Sequence, residues 1–347
     1  GEPLLLTGRD AGACDPSQPG AINGACAAPG AYVQGAGDPP NSKYSPISQG
    51  TSVVAPKLKA PSTDEFVLGG DYEILRDGRL GIMYAKRWLT NTVDDMSTDD
   101  AKTFFFGNPG HGIAKSVPKA VRKYDGITLS FTKAYSQGWM LQASYTLSWL
   151  RGNYGGLFNP DSGQFDPHMN SSFDISQLIT NTKGPLPGDN RHYVKFFAAK
   201  DVDLPGKWGF VTPGVSFRAY SGGPTNYLGA HPIYQQESVY ILPAGSGARL
   251  PWVASADLRL AYGYRFTKTR SISATVDIFN LFNFQSGIAR DQRYTATAVN
   301  PITSGGITQL TNYDGTPFDP TNKNANFGHL SAYQPPRVFR FGLKGTF

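Results

Sequence analysis

Hydrophobic and polar residues alternate along much of this chain, and the longest alternation runs from Gly138 to Gly152. One set of alternate positions is apolar and consists of Trp139, Leu141, Ala143, Tyr145, Leu147 and Trp149. The intervening positions are mostly polar and include Gln142, Ser144 and Thr146. A period of two predicts a β-strand, and this strand is about twice as long as is usual in a soluble protein.

The spacing of the two tryptophans indicates what surrounds this strand. Trp139 and Trp149 are separated by roughly 33 Å along a strand, at about 3.3 Å per residue. A tilt of about 40° reduces this to roughly 25 Å, which is the height of the apolar band between the aromatic girdles of an outer-membrane barrel. We therefore predict that the strand crosses a membrane.

Charged residues in two later strands follow the same alternation. Asp257, Arg259 and Arg265 share one face of a predicted strand, and Asp277 has the equivalent position in the next strand. A water-filled lumen accommodates such charges, whereas a dry core does not. The predicted lumen-facing residues are therefore Gln142, Ser144, Thr146, Asp257, Arg259, Arg265 and Asp277.

Short and long connections alternate between the predicted strands. Short turns are predicted at 76–79, 135–138, 205–207 and 267–269, and long connections without a strand pattern at about 92–122, 152–190, 221–251 and 282–336. This arrangement is typical of an outer-membrane barrel with periplasmic turns and extracellular loops. It predicts about nine antiparallel strands in 66–347, an extracellular loop region in 1–65, and a periplasmic C-terminus. Because an odd number of strands does not close an antiparallel barrel, we expect further strands from elsewhere.

Composition and cysteine content narrow the function classes. No run of about 18 apolar residues predicts a transmembrane helix. The net charge of +6 is spread along the chain, so we expect no nucleic-acid partner. Cys14 and Cys26 enclose a short Gly- and Pro-containing segment, which predicts a disulfide in an oxidising compartment, with two free thiols as the alternative.

Five parts of the sequence carry a family resemblance. They are DEFVLGGDYEI with GRLGIMYAKRW, FFFGNPGHG, RKYDGITLSFTKAYSQGWMLQASYTLS, VDIFNLFNFQ and PRVFRFGLKGTF. Together they resemble the C-terminal barrel portion of TonB-dependent outer-membrane transporters, most closely the Oar-like subgroup. The resemblance implies a 22-stranded barrel around an N-terminal plug, in the outer membrane of a Gram-negative bacterium. Because the plug and the TonB box have no counterpart in this sequence, we expect a fragment or one of two chains that complete a barrel.

The C-terminal segment VFRFGLKGTF repeats the alternation. Phe339, Phe341, Leu343 and Phe347 form a predicted lipid-facing row in the last strand. This row resembles the C-terminal signal that the barrel-assembly machinery reads on outer-membrane proteins. Gly345 departs from that signal, because an aromatic residue is common at its position.

No grouping of residues predicts catalysis or a cofactor, and we expect that the chain is not an enzyme. The five histidines are scattered without zinc-ligand spacing, and no Ser/His/Asp or Cys/His group is visible. Acidic residues in two connections are candidate calcium ligands, namely Asp94, Asp95, Asp99 and Asp100, and then Asp161 and Asp166. The alternative interpretation of these residues is solvated carboxylates in turns.

The family resemblance implies TonB-dependent transport of a large or scarce substrate, with this chain supplying barrel wall and extracellular loops. The implied partners are the plug and the remaining strands (in the same protein or a second chain), the TonB complex, membrane lipid and lipopolysaccharide. One alternative is an outer-membrane barrel for surface binding, adhesion or protein export. A soluble β-sandwich lectin is the other, and purification without detergent would favour it.

Overall fold

The computed structural model describes residues 53–158, 171–206, 208–234, 238–267 and 270–347. The chain divides into two compact units, Gly1–Val54 and Ala55–Phe347, and the second is almost entirely β-structure. The predicted disulfide and one candidate calcium pair fall outside the described residues, at Cys14, Cys26, Asp161 and Asp166. The assignment of 1–65 to an extracellular loop region stays a prediction, except that the structure places the last four of these residues, 62–65, in a strand.

Nine long strands form one antiparallel sheet among the described residues, and we call this sheet the wall. The strands are β1 Ser62–Leu75, β2 Gly78–Asn91, β3 Arg122–Ser136, β4 Trp139–Gly152, β5 His192–Lys200, β6 Phe210–Tyr220, β7 Val253–Arg265, β8 Ser271–Phe279 and β9 Val338–Thr346. Each strand pairs with the next one in the chain, from β1 at one edge to β9 at the other. The all-β antiparallel fold predicted from the alternation is confirmed.

Turn residues that tolerate positive φ explain where the tight hairpins lie. β1 and β2 are joined at Asp77, whose φ is 61°, and a short Asp side chain enters this left-handed region more readily than most. Gln137 and Gly138 join β3 to β4 with φ values of 53° and 76°. Two residues with positive φ match the right-handed twist of the flanking strands.

The wall has two chemically distinct faces, which follow from its register. Directly opposed residues of neighbouring strands share a face, as Ser144 does with Lys195 and Lys195 with Arg218. This register places all seven predicted lumen-facing residues on one face, which we call the polar face. The opposite side, which we call the apolar face, carries rows such as Ile127 opposite Leu147.

The four long connections contain secondary structure that the sequence pattern did not predict. We call them the long loops: 92–121, 153–191, 221–252 and 280–337. Their short strands are Asp94–Met96, Phe105–Gly107, Gly184–Pro185, Leu228–Ala230, Val239–Tyr240, Gly287–Arg290, Arg293–Ala298 and Leu330–Tyr333, and their one α-helix in the described residues is α1, Ser176–Ile179. Apolar residues far apart in sequence bury each other here, as Ile241 and Val299 do. Such contacts leave no periodic pattern.

The wall ends in two open edges among the described residues. β1 pairs only with β2, and β9 only with β8. Phe341 and Leu343 of β9 are 75% and 83% exposed. The structure ends β9 at Thr346, so that Phe347, predicted in the same row, follows the strand and is fully exposed.

None of the helices in the described part of the chain is long and apolar enough to span a membrane.

Candidate functional site

Hydroxyl and amide side chains line the polar face of β3 and β4. The predicted residues of β4 lie opposite hydroxyl residues of β3, in the pairs Gln142 and Thr132, Ser144 and Ser130, and Thr146 and Thr128. The Oγ1 atoms of Thr128 and Thr146 are 2.9 Å apart and form a hydrogen bond between the two strands. This part of the face offers hydrogen-bonding groups without net charge.

Asp277 lies between two arginines on the polar face of β7, β8 and β9. Arg340 donates from Nε and Nη2 to Oδ2 of Asp277 at 2.9 and 2.8 Å. Arg259 Nε lies 3.7 Å from the other carboxylate oxygen. Because Asp277 is 6% exposed, the two guanidinium groups compensate a carboxylate that is largely removed from water. Together, the three side chains form ion pairs that link β7, β8 and β9.

The remaining predicted residues are separate from this cluster. The Asp257 carboxylate accepts hydrogen bonds from Ser255 Oγ at 3.0 Å and from the Asn280 backbone N–H at 2.8 Å. Arg265, near the short turns, places Nη1 2.6 Å from Asp203 Oδ1. The seven residues thus share one face but form no single binding site.

Two open cavities of about 570 Å³ each lie along the polar face, and both are lined by Tyr193 and Arg218. Lys195 lies directly opposite Arg218 in the register, and its Nζ is 4.7 Å from the centre of the Tyr193 ring. The rings of Tyr193 and Tyr220 stack with their centres 5.4 Å apart. Cations beside stacked aromatic rings provide a surface suited to anionic or aromatic ligand groups.

A buried carboxylate organises the long loops beside β4. Asp189 is 1% exposed, and its Oδ1 accepts a hydrogen bond of 2.7 Å from the Leu150 backbone N–H. Its Oδ2 pairs with Arg249 and, at 3.3 Å, with Arg191. Arg249 also donates to the Gly222 carbonyl at 3.0 Å. This single carboxylate therefore ties two long loops to the end of a wall strand.

Asn181 joins the same two long loops to the last one. Its φ is 65°, and its amide Nδ2 donates to the carbonyl oxygens of Tyr240, Ile241 and Ile302 at 3.2, 3.1 and 3.0 Å. Asparagine suits the position because it tolerates the left-handed region and carries two N–H donors.

A second carboxyl group, Asp174, is buried in the long loops and has a raised pKa. Asp174 is 3% exposed and accepts a 2.6 Å hydrogen bond from the Tyr234 hydroxyl. Burial, together with the nearby charge of Asp95, raises the pKa of Asp174 to about 8. Burial also raises the pKa of Asp95 to about 6. Both shifts favour the protonated forms of these carboxyl groups, and protonation of either one reduces the repulsion between them.

Two of the candidate calcium ligands that the structure describes, Asp99 and Asp100, accept hydrogen bonds from the protein itself. Asp99 Oδ1 accepts hydrogen bonds from Ser97 Oγ at 2.8 Å and from the Thr103 N–H at 2.9 Å. Asp100 lies 3.5 Å from the Ser176 N–H. Within the described residues, no group of three or more His, Cys, Asp or Glu is placed to hold a metal ion.

Sequence reasoning did not single out several residues of the polar face and the long loops. Lys195 and Arg218 follow the same alternation as the predicted residues, so the pattern of β5 and β6 could have identified them. No sequence signal identifies Asn181 or Asp189, because their partners lie in distant loops. The predicted apolar row Phe339, Phe341 and Leu343 lies opposite Ile278, Val276 and Ala274 of β8.

Comparison with known proteins gives one clear sequence relative. No family model matches the chain. This chain is 40% identical over 320 residues to the TonB-dependent transporter Oar of Myxococcus xanthus. The alignment covers 88% of this chain and 30% of that protein. The chain thus spans about a third of the relative's length.

Among solved structures, the chain resembles the closed form of the ferric-catecholate import receptor Fiu of E. coli K12, with a TM-score of 0.45 and 13% identity over 88% of this chain and 31% of that one. It also resembles the ferripyoverdine receptor of the outer membrane of Pseudomonas aeruginosa, with a TM-score of 0.41 and 13% identity over 82% and 27% of the two chains.

Proposed function

Since the chain is a barrel portion of the TonB-dependent transporter family, we propose that it supplies wall and loops to TonB-dependent transport of a large or scarce substrate across an outer membrane. The observation that carries this proposal is the division of the wall into a polar and an apolar face on nine consecutive antiparallel strands. A barrel wall needs this division, because one side contacts lipid and the other contacts water and the substrate.

The alternation of short and long connections supports a proposed placement of the wall in the membrane. The short turns and the C-terminus lie in the periplasm, and the long loops lie outside the cell, where outer-membrane barrels carry their longer loops. Lipid and lipopolysaccharide contact the apolar face. The remaining strands pair with the open edges of β1 and β9, because lipid offers no partner for a free backbone edge.

The polar face serves as one side of the transport path. Its uncharged stretch at Ser144 and Thr146 and its charged stretch at Arg259 and Asp277 face the N-terminal plug and the passing substrate. Movement of that plug, driven by the TonB complex, opens the path. The long loops are the first contact with the substrate.

Binding to TonB tests the proposed activity. The full-length protein is reconstituted in detergent and passed over the immobilised periplasmic domain of TonB. A transporter of this family is retained, and excess soluble TonB domain releases it. A barrel that only displays adhesive loops or exports protein passes through without retention, and that result would overturn the proposal.

Thiol labelling tests which face contacts water. Single cysteines replace Ser144 on the polar face and Tyr145 on the apolar face, in a full-length protein whose Cys14 and Cys26 are changed to serine. A small charged maleimide should label Ser144→Cys and spare Tyr145→Cys in intact membranes, and both positions should react once the protein is denatured in detergent, because the reagent needs a water-exposed thiolate. Equal labelling of both positions by the charged reagent would contradict a membrane-spanning wall.

A further inference from the structure

The apolar face carries a cluster of cations at the end of the wall that adjoins the long loops. Lys123 of β3 lies directly opposite Arg151 of β4, and Trp88 of β2 lies directly opposite Lys123 on its other side. Lys123 and Arg151 are both exposed. Two positions along the same strands, Lys86 lies opposite Asp125.

Apolar residues follow immediately below this cluster. Ile127 lies opposite Leu147, and Leu129 lies opposite Tyr145. Along β4, Arg151 stands about 13 Å from Leu147, at roughly 3.3 Å per residue. Tryptophan side chains occupy the headgroup level of membranes, and Trp149 lies between these two residues in β4. The cations therefore stand at the height of lipid headgroups, with hydrocarbon contacts below them.

The two opposed cations have no carboxylate partner among the residues that the structure describes. The nearest acid on the same face, Asp125, already accepts a 2.8 Å hydrogen bond from the Tyr84 hydroxyl and lies 3.9 Å from Lys86 Nζ. Like charges directly opposite each other destabilise a sheet. Where β7, β8 and β9 carry two arginines on the polar face, Asp277 lies between them. The pair on the apolar face thus lacks an anion.

We propose that Lys123 and Arg151 bind a phosphate group of lipopolysaccharide on the outside of the barrel wall. The site rests on the proposed orientation, in which the long loops point away from the cell. Arg151 binds phosphate oxygens through two parallel N–H groups, and Lys123 adds a point charge. The acyl chains lie along the apolar rows below, and Trp88 contacts the headgroup. A lipid fits better than free phosphate because the cations border hydrocarbon-facing residues.

A matched pair of double variants tests the site in the full-length protein, reconstituted in phosphatidylcholine nanodiscs. Lys123→Gln with Arg151→Gln removes the proposed site. Arg79→Gln with Lys344→Gln removes two exposed cations of the polar face that line neither cavity, and it is the control for lipid binding. Each protein is titrated with bisphosphorylated lipid A, and its folding is checked by the shift in gel mobility on heating.

The expected loss is about fivefold in affinity per cation, or roughly 25-fold for the double variant at Lys123 and Arg151, from the attraction of a basic residue to an anionic lipid surface. The control should bind lipid A as the unmodified protein does. Dephosphorylated lipid A should bind the unmodified protein as weakly as the double variant binds the phosphorylated form.

Three results would overturn the site. Equal affinity for phosphorylated and dephosphorylated lipid A would show a purely apolar lipid contact. Displacement of lipid A by inorganic phosphate at a similar concentration would show a site for free anions. Unchanged binding by a folded Lys123→Gln, Arg151→Gln variant would place the lipid elsewhere. Because these measurements use no TonB, they stand apart from the TonB-binding test of the proposed function.

Discussion

The wall and the long loops satisfy their polar groups with different parts of the chain. In the wall the backbone satisfies itself, as β3 and β4 do in the ladder from Arg122 opposite Gly152 to Ser136 opposite Trp139. In the long loops, single side chains form hydrogen bonds with the backbone polar groups. Asn181 donates to carbonyl groups 60 and 121 residues away along the chain. Asp189 reaches a backbone N–H and two arginines.

The difference determines how each region responds to substitution. A ladder of backbone hydrogen bonds survives the loss of any one side chain, so the wall is sensitive mainly to a change of face. A loop held by one buried side chain loses several interactions when that side chain is removed. The four predictions below probe this contrast.

The largest effect is expected at Asp189. Asp189→Ala leaves Arg249 and Arg191 without their shared carboxylate, and breaking a buried ion pair costs about 3–5 kcal/mol. The long loops should become susceptible to limited proteolysis, whereas the wall should keep its heat-dependent gel mobility. Loss of the folded wall in Asp189→Ala would contradict the separation of the two regions.

Asp203 provides the matched control for Asp189. Its carboxylate also pairs with an arginine, Arg265, but this ion pair is exposed. Exposed ion pairs contribute little to stability, because water and salt screen them. Asp203→Ala should therefore leave the protease resistance of the long loops unchanged.

A substitution that places a charged residue on the apolar face of the wall should have the second-largest effect on stability. Leu147→Arg places a charge on the apolar face two residues from Trp149, and a lipid-facing arginine costs about 2–4 kcal/mol at mid-bilayer and less towards the headgroups. Thr146→Leu, one position away on the polar face, loses one hydrogen bond to Thr128 and should assemble better. The amount of folded barrel in the outer membrane measures both. Equal loss from the two changes would refute the assignment of the faces.

Asn181→Ala should destabilise the protein less than Asp189→Ala or Leu147→Arg does. It removes the donor to three carbonyl groups, and an unsatisfied buried polar group costs about 1–3 kcal/mol. Hydrogen exchange should increase around Ile241 and Ile302 and stay constant in β3 and β4. Asn181→Gly keeps the left-handed backbone accessible and separates the lost amide from backbone strain. Unchanged exchange in both variants would show that the amide is not a structural link.

The smallest effect is a pH dependence at Asp99. Hydrogen bonds from Thr103 and Ser97 lower the pKa of Asp99 from 3.8 to about 2. A lowered folded-state pKa stabilises the turn above about pH 4, and this contribution is lost as the pH falls towards 2. The protection factor of the Thr103 N–H, which corrects its exchange rate for the intrinsic pH dependence of amide exchange, should therefore fall over this range in the unmodified protein. Asp99→Asn should abolish the pH dependence, and a persisting one would assign it to another group.

Sequence alternation was sufficient for the wall because each wall strand repeats one simple rule. It predicted β4 well, since the residues from Leu141 to Trp149 alternate without a break. β5 gave a weaker signal, because Phe196 and Phe197 are adjacent and apolar, although they belong to opposite faces. The faces of the predicted residues followed from the same rule.

The alternation of hydrophobic and polar residues did not predict the contacts within the long loops. The contact between Tyr234 and Asp174 joins residues 60 apart, and neither stands in a periodic segment. The same holds for Asp189 and Arg249. Their positions depend on how the loops pack in three dimensions, which one sequence does not encode in a local pattern.

The open edges of β1 and β9 also affect the solubility of this polypeptide when it is produced without neighbouring strands. Among the described residues, each edge presents a row of N–H and C=O groups that no other strand pairs, a template on which another strand can form. Two copies can therefore join edge to edge and leave fresh edges at both ends of the product. Production of this segment without its neighbouring strands should give extended, insoluble assemblies, and a designed strand peptide that caps β9 should limit their growth.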